Sequence, residues 1–89
     1  MVLHQHFNML DKVQRFLKSK HKYDKKLELK DQFELLSKEL NNLQLNAKSG
    51  ISTEIRQSLG TLLIDLIKFA NTQNIDLVEL FQKDLKFSV

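Results

Sequence analysis

Apolar residues return every three or four positions in four stretches of this chain, and polar breaks separate them. Phe7, Leu10, Val13 and Leu17 set the first, which predicts an amphipathic helix over residues 5–19 with Met9 and Phe16 widening its apolar face. The pattern stops between Lys20 and Lys26, where Asp24 is placed to cap a second helix starting near Leu27. That helix carries the clearest stripe: Leu29, Phe33, Leu36, Leu40 and Leu43 fall within about 80° of one another at 3.6 residues per turn, opposite Lys30, Glu34, Lys38 and Asn41. Asn46 to Gly50 ends it, because Asn and Gly accept the left-handed conformation that follows many helices.

Ser52 is the expected N-cap of a third helix, with Glu54 at its positive end. Ile55, Leu59, Leu62, Leu66 and Phe69 form its main stripe, and Leu63, Ile64 and Ile67 extend the apolar surface past half the circumference. One neighbour cannot cover so wide a face. Such a helix is either central in the bundle or shared between subunits, and Ile64 and Ile67 are expected at an interface of a homo-oligomer. Asn74 closes this helix, and Asp76 with Glu79 makes an acidic capping box for a fourth helix carrying Val78, Phe81 and Leu85.

Composition agrees with these elements. The 89 residues contain no proline and only Gly50 and Gly60, so few interior positions carry a helix breaker. An all-α, four-helix domain spanning residues 1–89 is expected. The absence of cysteine excludes a disulfide framework and a thiolate zinc site, and no apolar run is long enough for a signal segment or a membrane span. The expected compartment is the cytoplasm.

The net charge of +3 is unevenly spread: residues 1–30 hold eight Lys or Arg against three acids, and residues 31–89 hold six against eight. The basic excess gathers at Lys18, Lys20, Lys22, Lys25 and Lys26 around His21. Such a cluster attracts phosphate, but Tyr23 is its only aromatic residue, too few for a base-stacking platform. Weak, nonspecific affinity for polyanions is expected, and sequence-specific nucleic-acid recognition is not.

The segment from Glu54 to Phe87 resembles the C-terminal half of the MazG-like nucleotide pyrophosphohydrolases. Leu59-Gly60 is followed by Leu62-Leu63-Ile64-Asp65-Leu66, and Ile75-Asp76-Leu77 is similar to the Gly-Ile-Asp turn that opens the family's last helix. Asp84-Leu85-Lys86-Phe87 is similar to its Asn-x-Lys-Phe ending, and Tyr23-Asp24 to the Trp-Asp before its second helix. The resemblance implies a compact helical assembly in which carboxylates hold Mg²⁺ against a nucleoside triphosphate while water attacks, releasing the monophosphate and pyrophosphate. A hard cation needs several oxygen ligands there, and spacings of three or four bring them to one helix face.

The family's carboxylates come as Glu-Glu-x-x-Glu on the earlier helix and Glu-x-x-Asp on the later one. Counted from Glu39-Leu40, the paired glutamates fall on Leu35 and Leu36; counted from Leu59-Gly60, the second motif falls on Ser58 and Thr61. Of these main positions only Glu39 keeps its carboxylate. The resemblance thus implies a MazG-like domain with a depleted magnesium site, acting by binding or self-association with little catalysis. An active enzyme remains open, in which Glu39 and Asp65 face one another as a relocated metal site, Mg²⁺ is the cofactor and Lys22, Lys25, Lys26 and Lys86 meet the phosphates. So does an unrelated helical interaction module. His4 and His6 have the spacing of a metal pair but no third ligand nearby in sequence, and no catalytic triad or glycine-rich phosphate loop is present.

Overall fold

The computed structural model describes the backbone of residues 2–20 and 27–86 and the side chains of residues 8–20 and 27–86. The elements are α1 (Val2–Lys20), α2 (Leu29–Ser49), α3 (Ser52–Thr72) and a short α4 (Leu77–Glu79) that runs into a π-helical turn (Leu80–Asp84). Among the described residues there is no strand, and no helix is long and apolar enough to cross a membrane. The fold is an all-α helical bundle. The expected second helix begins two residues late, at Leu29, after an extended Glu28. Lys22, Tyr23, Asp24, Lys25, Lys26 and Phe87 lie outside the described residues, as do the side chains of His4, His6 and Phe7.

The helix ends follow from local chemistry. Gly50 adopts φ 76°, and its N–H donates to the Asn46 carbonyl, closing α2 with a left-handed residue that needs no Cβ. Asn74 does the same for α3 at φ 57°. There the Ile75 N–H donates back to Ala70 O at 2.9 Å and the Asn74 N–H to Asn71 O at 3.2 Å, the two-bond pattern of a Schellman cap. Asp76 then accepts from the N–H groups of Val78 and Glu79, so the first half of the expected capping box forms. The Glu79 carboxylate lies 3.7 Å from the Lys83 ammonium. Ser52 is already the first residue of α3, and the carbonyl of Ile51 accepts from Ile55, so the start lies one residue earlier than the Ser52 cap requires. Leu85 closes the π-helical turn by donating to Leu80 O and is exposed, so it does not join Val78 and Phe81 on a covered helix face.

The chain divides into two compact units, one of Met1–Asp24 with Ile67–Val89 and one of Lys25–Leu66. In the first, α1 packs against α4. Leu17 and Ala70 are buried, with Leu10 and Val13 half-buried. Met9 and Phe16 are exposed, which corrects their expected place on the covered face; Gln14 occupies the position between Val13 and Leu17 instead.

In the second unit the two-residue link Gly50-Ile51 joins α2 to α3, braced by a 3.4 Å bond from Asn46 Nδ2 to the Glu54 carbonyl. The covered side of α2 is Gln32, Leu35, Leu36, Glu39, Leu43 and Asn46, and that of α3 within this unit is Ile55, Ser58, Leu62 and Asp65. The stripes read from the sequence are therefore rotated outward. Leu29, Phe33 and Leu40 on α2, and Leu59 and Leu66 on α3, are exposed. Among the described residues no large side chain is fully buried.

Candidate functional site

The positions that resemble magnesium-binding carboxylates lie on α2 and α3 of the second unit. Leu35 and Leu36 are half-buried on the covered side of α2, and Glu39 is buried one turn further along. On α3, Ser58 Oγ shares its one proton between Glu54 O at 2.8 Å and Ile55 O at 3.1 Å, and Thr61 Oγ1 donates to Gln57 O at 3.0 Å. Both hydroxyls thus bond back to the preceding turn of their own helix, the usual resting arrangement of Ser and Thr in helix interiors. Asp65 is half-buried one turn after Thr61.

These residues do not fit a magnesium ion. Two of these four positions are hydrocarbon, and the other two carry neutral hydroxyls already bonded to backbone, where a hard divalent cation wants several anionic oxygens. Among the described residues no group of three or more His, Cys, Asp or Glu, whether or not it includes Glu39 or Asp65, is gathered closely enough to share an ion. Lys86 is exposed at φ 51° after the π-helical turn, in the other unit from Glu39 and Asp65. Ile64 is exposed and Ile67 half-buried on α3.

The most developed polar arrangement is in the first unit, and the apolar pattern alone does not point to it. Gln14, 7% exposed, sends its Nε2 to Asn71 Oδ1 at 3.0 Å and to the Ile75 carbonyl at 2.7 Å, while its Oε1 accepts from the Leu77 N–H at 3.0 Å. Asn71 Nδ2 returns a bond to the Gln14 backbone carbonyl at 3.3 Å. Both amide hydrogens and the oxygen of Gln14 are used, which is what makes burying this side chain tolerable. The network ties the Asn74-Ile75-Asp76 turn to α1 by supplying partners to backbone groups that neither α3 nor α4 can satisfy. A sequence signal existed: at 3.6 residues per turn Gln14 falls inside the stripe of Phe7, Leu10, Val13 and Leu17, where a polar residue must find partners.

No protein family, curated protein or solved structure matches the chain.

Proposed function

We propose that this chain is a MazG-like helical domain whose magnesium site is depleted, and that it acts by binding and self-association with little or no hydrolysis of nucleoside triphosphates. The observation that carries this reading is the state of the four substituted positions. Leu35 and Leu36 present hydrocarbon, and Ser58 and Thr61 turn their hydroxyl protons onto α3 itself. Assembly as a homo-oligomer is supported by the many large apolar side chains exposed on α2 and α3.

A relocated site is the second reading, favoured by one observation: Glu39, the carboxylate kept at a family position, is buried rather than solvated, and buried charges are usually held for a reason. A turnover screen of the common nucleoside triphosphates with Mg²⁺ and Mn²⁺, read as pyrophosphate released, separates the two. The depleted-site reading expects no release above a protein-free control. Robust metal-dependent conversion to the monophosphate, lost in Glu39→Gln or Asp65→Asn, would establish the relocated site instead.

A further inference from the structure

We draw no further inference here: the strongest candidate, the apolar surface of α2 and α3 on which Phe33, Leu40, Leu59 and Leu63 stand exposed, carries nothing, because nothing in the structure shows what covers it.

Discussion

The two units solve the problem of a small core in opposite ways. The first, Met1–Asp24 with Ile67–Val89, holds both buried apolar side chains among the described residues, Leu17 and Ala70, and completes its polar accounts: Gln14, Asn71, the Ile75 carbonyl and the Leu77 N–H satisfy one another, and caps close the helix ends around them. The second, Lys25–Leu66, is richer in leucine and leaves much of it in solvent. A satisfied polar network fixes one geometry, while an open apolar side asks for a partner. The difference teaches that hydrophobic content alone does not say which part of a chain is finished.

The strongest blow to the first unit should be Gln14→Leu. It keeps the volume but strands the Ile75 carbonyl, the Leu77 N–H and Asn71 Oδ1, and should cost about 2–3 kcal/mol in urea unfolding, since each buried polar group left unsatisfied costs about 1–3 kcal/mol and these are partly exposed. A cost below about 0.5 kcal/mol would mean that water replaces the glutamine without loss. In the second unit the smaller effect is a gain. Gly60 lies inside α3, and a Cβ built there meets nothing within 4 Å. Gly60→Ala should therefore raise stability by about 0.5–1 kcal/mol through helix propensity. A fall instead would show that backbone from outside the chain approaches Gly60 closely.

The number and order of the helices, and the boundaries at Gly50, Asn74 and Asp76, were legible because they depend on local signals. Gly50 and Asn74 take left-handed backbone where only such residues are cheap, and Asp76 caps α4 through its own side chain. The facing of the helices was less legible. A periodic stripe such as Leu29, Phe33, Leu36, Leu40 and Leu43 marks where hydrocarbon collects, but not how much of it this chain covers, and the answer is the edge containing Leu36 and Leu43. Gln14 was missed for a related reason: weighing only apolar positions hides a polar residue that is buried because its partners lie some sixty positions away, at Asn71, Ile75 and Leu77. At the candidate site, the absence of carboxylates at Leu35, Leu36, Ser58 and Thr61 could be read in the sequence, whereas the bonding of both hydroxyls to their own helix and the burial of Glu39 required the structure.

The contrast between a finished unit and an unfinished one is tested most directly by amide hydrogen exchange, read residue by residue at two protein concentrations a hundredfold apart. Protection that rises with concentration in α2 and in residues 52–66 of α3, with a smaller rise in α1 and around the Asn74–Asp76 turn, is the predicted result. Protection independent of concentration throughout the chain, in a protein folded at both concentrations, would contradict it.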